Sequence, residues 1–133
     1  MKIFTKTQEE TQNFAQKFAE GLKGGEIILL EGELGAGKTT FAKGIAKGLG
    51  IEQEVISPTF MLCCVYEGGR LPLYHFDLYR IESAEELSEL GFEDYLYGKG
   101  VCVIEWNKFS SFYKPVTRIK LNYAEQGREI EIL

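Results

Sequence analysis

The sequence predicts an α/β fold: a mostly parallel sheet with helices on both faces and antiparallel hairpin additions. Three observations carry that expectation. Two runs, EIILLEG (26–32) and GVCVIEW (100–106), are apolar through their centres, the pattern of strands buried on both faces. Segments with apolar residues at helical spacing stand before, between and after them. A glycine-rich turn, GELGAGKT (32–39), joins the first buried run directly to one of those helical segments.

Taken in order, Thr7-x-x-Glu10 has the form of a capping box. Phe14, Phe18 and Leu22 follow at four-residue spacing, with Ala15 and Ala19 beside them, and Gly24-Gly25 ends that helix. The 26–32 strand comes next. A second helix runs from Lys38 to Leu49, with Phe41, Ile45 and Leu49 in register and Gly50 as its stop. Residues 59–67 and 71–77 flank Gly68-Gly69 and read as a β-hairpin. Ser83-x-x-Glu86 opens a helix through Leu87 and Leu90, and 93–97 add a helical turn. After the 100–106 strand, RIKLNYAEQGREIEIL alternates apolar and polar residues around Gly127, as a hairpin with one wet face does. No repeat, low-complexity stretch or linker interrupts the chain, so residues 1–133 are expected to form one domain.

Composition narrows the function. The chain has 133 residues, 44% of them hydrophobic and 26% charged, and a net charge of −5. That size supports a core without disulfide staples. The scattered Lys and Arg form no basic stripe, which argues against direct nucleic-acid binding by the chain alone. No apolar run is long enough for a membrane span. MKIFTKTQEE carries no apolar signal region, so a cytoplasmic protein is expected. Cys63, Cys64 and Cys102 lack metal-ligand spacing and read as buried thiols.

GELGAGKT fits the pattern G-x-x-x-x-G-K-[ST] at Gly32, Gly37, Lys38 and Thr39. Its position, after a buried strand and before a helix, is the one the mechanism requires. The fold expected is therefore P-loop NTPase-like. Glycines let the backbone curl so that consecutive N–H groups face phosphate oxygens. The binding candidates are Glu33, Leu34, Gly35, Ala36, Gly37, Lys38, Thr39 and Thr40. Lys38 would reach the β- and γ-phosphates, and the Thr39 hydroxyl would take Mg²⁺.

Such a site needs an acid at the end of a neighbouring strand. LPLYHFD delivers Asp77 and VCVIE delivers Glu105. The chain has 18 glutamates and only two aspartates. Asp77 has the better residue type and Glu105 the more apolar strand, so the two stay rivals for the metal, or share the work with one orienting water. Asp77 could equally cap the turn before LYRIES, and Glu105 could sit at a strand end on the surface. Ser57-Pro58-Thr59 is either a plain turn or a switch-like loop near the γ-phosphate. His75 alternates with Asp77 and shares its face; packing is its commoner role. Trp106 either stacks on nucleotide or partner, or packs in the core.

WNKFS (106–110) has the start of the guanine-reading N-K-x-D signature, but Ser110 stands where its carboxylate belongs. ATP is therefore favoured. None of Arg70, Arg80, Arg118 and Arg128 is an obvious arginine finger. Slow hydrolysis raised by a partner is expected. A small-molecule kinase is the alternative, opposed by the absence of arginine from 83–99, where a lid would lie.

GELGAGKTT (32–40), SPTF (57–60), HFDLYR (75–80) and IEW (104–106) occur in this order. The set resembles the TsaE family (formerly YjeE), a bacterial ATPase of tRNA threonylcarbamoyladenosine synthesis. The resemblance spans nearly the whole chain. It implies a cytoplasmic, Mg-ATP-binding protein that works with TsaD and TsaB, its ATPase cycle supporting their synthase. By motif, it implies Lys38 and Thr39 on phosphate and Mg²⁺, Asp77 as Walker-B-like acid, Glu105 as a metal-site acid with Trp106 beside it, and Thr59 as the switch-like threonine. The chain departs from the family after IEW, where Asn107-Lys108 replace the usual Pro or Ser and Glu. A monomeric free chain is expected.

Overall fold

The computed structural model describes residues 1–56, 62–107, 112 and 114–133. The elements in chain order are β1 (Lys2–Thr5), α1 (Gln8–Glu20), β2 (Ile27–Glu31), α2 (Lys38–Gly48), β3 (Cys63–Tyr66) and β4 (Leu73–Asp77). They continue with α3 (Ala84–Glu89), α4 (Phe92–Leu96), β5 (Val101–Glu105), β6 (Val116–Ala124) and β7 (Gly127–Ile132). The strands form one sheet in the order β1-β7-β6-β2-β5-β4-β3. Its centre, β6-β2-β5-β4, is parallel, and both flanks are antiparallel.

Alternation in β2 explains the two layers. Ile28 and Leu30 point into a core shared with Ala15 and Ala19 of α1 and Phe41 and Ile45 of α2. Ile27 and Leu29 point the other way, into a core with Leu87 of α3 and Phe92 and Leu96 of α4. A strand covered on both faces has no wet side, hence its unbroken apolar run. Thr7 caps α1, its hydroxyl accepting from the Glu10 amide at 3.1 Å, and Ser83 caps α3 the same way through Glu86 at 3.4 Å.

Helices α1 and α2 touch unusually closely. A Cβ on Gly44 would strike the Gln12 carbonyl and lie 2.5 Å from the Ala15 Cβ. On Gly48 it would strike the Gln16 carbonyl and lie 2.6 Å from the Ala19 Cβ. Glycine facing alanine at this spacing lets the backbones meet. At the far end of the same helices, Arg70 donates to the carbonyls of Ala19 and Leu22 at 2.7 and 2.6 Å, satisfying the end of α1.

Three sequence expectations change. β1 has no place in the sequence reading; it forms by pairing with β7, Thr5 opposite Arg128. The terminal hairpin turns at Glu125-Gln126, with Gln126 at φ 62, and Gly127 already belongs to β7 opposite Ala124. The hairpin strand expected over 59–67 is seen as β3 from Cys63 to Tyr66, its earlier part lying outside the described residues.

Candidate functional site

The 32–37 loop leaves β2 at the end of the parallel sheet and delivers Lys38 as the first residue of α2. Gly37 sits at the N-cap with φ 108, a conformation that glycine adopts without strain, and no side chain caps the helix. The first-turn N–H groups of α2 are thus left for an outside acceptor, and the helix dipole favours an anion there. The first turn of α2 also contains no acidic residue to repel one.

Lys38 is buried. Its Nζ donates to the Gly32 carbonyl at 2.6 Å and lies 3.6 Å from the centroid of the Trp106 ring. Burial pushes its pKa below the ordinary lysine value, while Glu105 and Asp77 pull it back up. Trp106 takes φ 56 directly after β5, and its ring is edged by Tyr79 at 5.2 Å.

Asp77 and Glu105 are register partners on the adjacent parallel strands β4 and β5. Both are buried, at 2% and 3% exposure. By strand alternation they share the face of Leu73, Val101 and Val103, which pack toward α1 and α2. The turn-cap reading of Asp77 holds as well: its Oδ1 accepts from the Tyr79 amide at 2.9 Å. Glu105 is not a surface acid. Its Oε2 lies 2.5 Å from His75 Nε2, and His75 is fully buried.

A cavity of about 410 Å³ collects these groups. Leu34, Gly35, Gly37, Lys38, Thr39 and Thr40 form its floor, and Asp77, Glu105 and Trp106 form one wall. Glu33 and Ala36 do not line it; Ala36 is buried beneath the loop and Glu33 faces solvent. Thr59, with Ser57-Pro58 and Lys108–Ser110, lies outside the described residues.

The opposite wall escaped the sequence reading. It is the β1–α1 turn, Thr5 to Gln8 with Thr11, together with Gly127 and Arg128 of β7. Thr5 and Thr11 share a buried hydroxyl–hydroxyl hydrogen bond of 2.6 Å. Arg128 donates to the carbonyls of Ala36 and Gly35 at 3.2 and 3.3 Å. The Tyr123 hydroxyl donates to the Leu34 carbonyl at 2.7 Å, and Arg128 lies 4.5 Å from the Tyr123 ring centroid. The usable signals were the threonine cap before α1 and the scarcity of arginine. Of the other arginines, Arg70 caps α1 and Arg118 forms a two-pronged pair with Glu31 at 2.6 and 3.0 Å. Burial pushes the Cys63 and Cys102 thiols up to about 11 and about 12, which makes them unreactive.

Fold and site define a class: a P-loop NTPase-like α/β protein whose glycine-rich strand–helix turn faces two strand-end acids. The model of the TsaE family, described as threonylcarbamoyl adenosine biosynthesis protein TsaE, matches residues 5–131. The chain belongs to that family. It is 46% identical over 127 residues to the tRNA threonylcarbamoyladenosine biosynthesis protein TsaE of Bacillus subtilis, covering 96% of this chain and 79% of that one. It is 47% identical over 138 residues to the TsaE of a Nostoc species, covering 98% and 84%. The crystal structure of Bacillus subtilis YdiB matches with a TM-score of 0.80 at 38% identity, covering 98% of this chain and 82% of that one.

Proposed function

We propose that the chain is a Mg-dependent ATPase that supports synthesis of threonylcarbamoyladenosine on tRNA, acting with a TsaD–TsaB synthase in the cytoplasm. One observation carries the reading. An uncapped helix N-terminus with Lys38 faces two buried carboxylates held side by side. Burying acids is costly, and buried acids beside a lysine gather where a protein handles a charged ligand.

The residues fit the groups they would hold. The first amides of α2 and the Lys38 ammonium would take the β- and γ-phosphates. The Thr39 hydroxyl with Asp77 or Glu105 would hold Mg²⁺. Among the described residues no three His, Cys, Asp or Glu side chains converge as a metal cage. That suits Mg²⁺, which takes one or two carboxylates and completes its shell with substrate phosphates and water. Bound there, Mg²⁺ would neutralise charge on the phosphates. Lys38 would exchange the Gly32 carbonyl for phosphate oxygen. The carboxylate not on the metal would orient the attacking water. The wall of Thr5, Thr7 and Gln8 would receive the ribose and base.

Single-turnover hydrolysis with and without TsaD and TsaB tests the reading. Phosphate released to water, and faster with the partners, is the expected result. Transfer of phosphate to a small metabolite without them would favour a kinase instead.

A further inference from the structure

His75 is the only histidine of the chain. It is fully buried, and it stands opposite Val103, two residues short of the Asp77–Glu105 pair on the same face. Its side chain reaches diagonally across the sheet face, bringing Nε2 to 2.5 Å from Glu105 Oε2. Among the described residues, its Nδ1 has no hydrogen-bond partner. These two facts select one arrangement of the protons. A carboxylate accepts, so Nε2 carries the hydrogen. A hydrogen on Nδ1 would leave a buried N–H unpaired, which is costly. The Nε2–H tautomer leaves only a bare lone pair.

We propose that His75 is a positioning residue that holds Glu105 in place for catalysis. The two acids need different supports. Asp77 is short, and the backbone two residues on fixes its Oδ1. Glu105 has one more rotatable bond and, among the described residues, no such local partner; His75 is the side chain that reaches it. With Oε2 held by His75, Oε1 is left to serve the cavity that Glu105 lines. Partners of this kind, one step behind the reacting groups, are worth about 10- to 100-fold in metal affinity or rate. The inference rests on the reading of Glu105 as a site acid in ATP hydrolysis.

The single histidine makes the test direct. In protein labelled with ¹⁵N-histidine, long-range ¹H–¹⁵N spectra should show the Nε2–H tautomer, with the signal displaced by Glu105→Gln. In single-turnover ATP hydrolysis, His75→Leu should slow the step about 10- to 100-fold and leave ATP affinity within about threefold. His75→Gln, whose amide N–H reaches as far as Nε2, should recover most of the rate. An Nδ1–H tautomer overturns the proposal. So does a wild-type rate in His75→Leu while Glu105→Gln is slow, or an equal loss in the Leu and Gln variants. If His75→Leu does not fold, the spectrum and the Gln variant decide. A wild-type rate in Glu105→Gln overturns the underlying reading and this inference with it.

Discussion

The Lys38 ammonium lies 3.6 Å from the centroid of the Trp106 ring, so the loop's one cation and the chain's one tryptophan are partners. A cation over an indole face is worth about 0.5–2 kcal/mol. If the loop takes phosphate as proposed, Lys38 would turn toward it and the contact would change. Adding Mg-ADP should therefore change Trp106 emission, and the Lys38→Met variant should show altered emission before any addition. Lys38→Met should also weaken ADP binding by at least about tenfold, the loss of one charge-assisted contact. A fluorescence titration reads both; unchanged emission at saturation would mean that Lys38 stays on the ring.

The paired acids should affect rate more than binding. Asp77→Asn and Glu105→Gln are expected to lower the hydrolytic step by about 10²-fold or more, with ATP affinity changed only a few-fold. Asp77→Asn keeps an oxygen for the Tyr79 amide, so the turn after β4 should survive the substitution. Wild-type hydrolysis in both variants would remove these acids from the mechanism.

Arg128 and Tyr123 together hold three successive loop carbonyls, those of Leu34, Gly35 and Ala36. Carbonyls held by side chains fix the course of the loop, whose amides would then be pre-set for an anion. Arg128→Ala should weaken ATP and inorganic tripolyphosphate by the same factor, about five- to tenfold for roughly 1 kcal/mol. Loss of ATP binding alone, measured by calorimetric titration, would instead place Arg128 on the nucleoside.

Gly44→Ala tests the contact between α1 and α2. Its Cβ would meet a carbonyl of α1 and the Ala15 Cβ at 2.5 Å. Overpacking of this kind costs about 1–3 kcal/mol, a fall of several degrees in melting temperature for a chain of this size. An unchanged melt would show that the helices can separate freely.

Glu31 gives a pH-dependent case. The Arg118 side chain holds its carboxyl below the ordinary value of 4.5. A depressed carboxyl contributes stability above the unfolded value and loses it as pH falls through the folded one. The stability gap between the protein and Glu31→Gln should thus be small, near the surface-pair range of under about 1 kcal/mol. It should shrink further as urea melts are taken from pH 6 to pH 3.

The legible parts of this fold are those whose signal is local. β2 and β5 announce themselves by unbroken apolar runs, and the loop by the spacing of Gly32, Gly37 and Lys38. β1 does not, because KIFT is short and mostly exposed; β7 makes it a strand. Period-two alternation already set His75 on the face of Asp77. Its bond to Glu105 required the β4–β5 register, which no single stretch contains. The same holds for Arg128, which reaches the loop only because β6 and β7 fold back beside it. The contest between Asp77 and Glu105 rested on a choice that the sheet does not make: it sets the two acids abreast.

The glycine-on-alanine seam between α1 and α2 also has a meaning for the cavity. One wall of that cavity hangs from the start of α1, and its floor is the start of α2. A seam that lets two backbones touch leaves no slack for one helix to swing from the other. The width of the cleft at that end is therefore set in part by buried residues that do not line it. Its tolerance for a larger or smaller guest would be tuned by the methyl groups of Ala15 and Ala19, like a gauge block between two jaws.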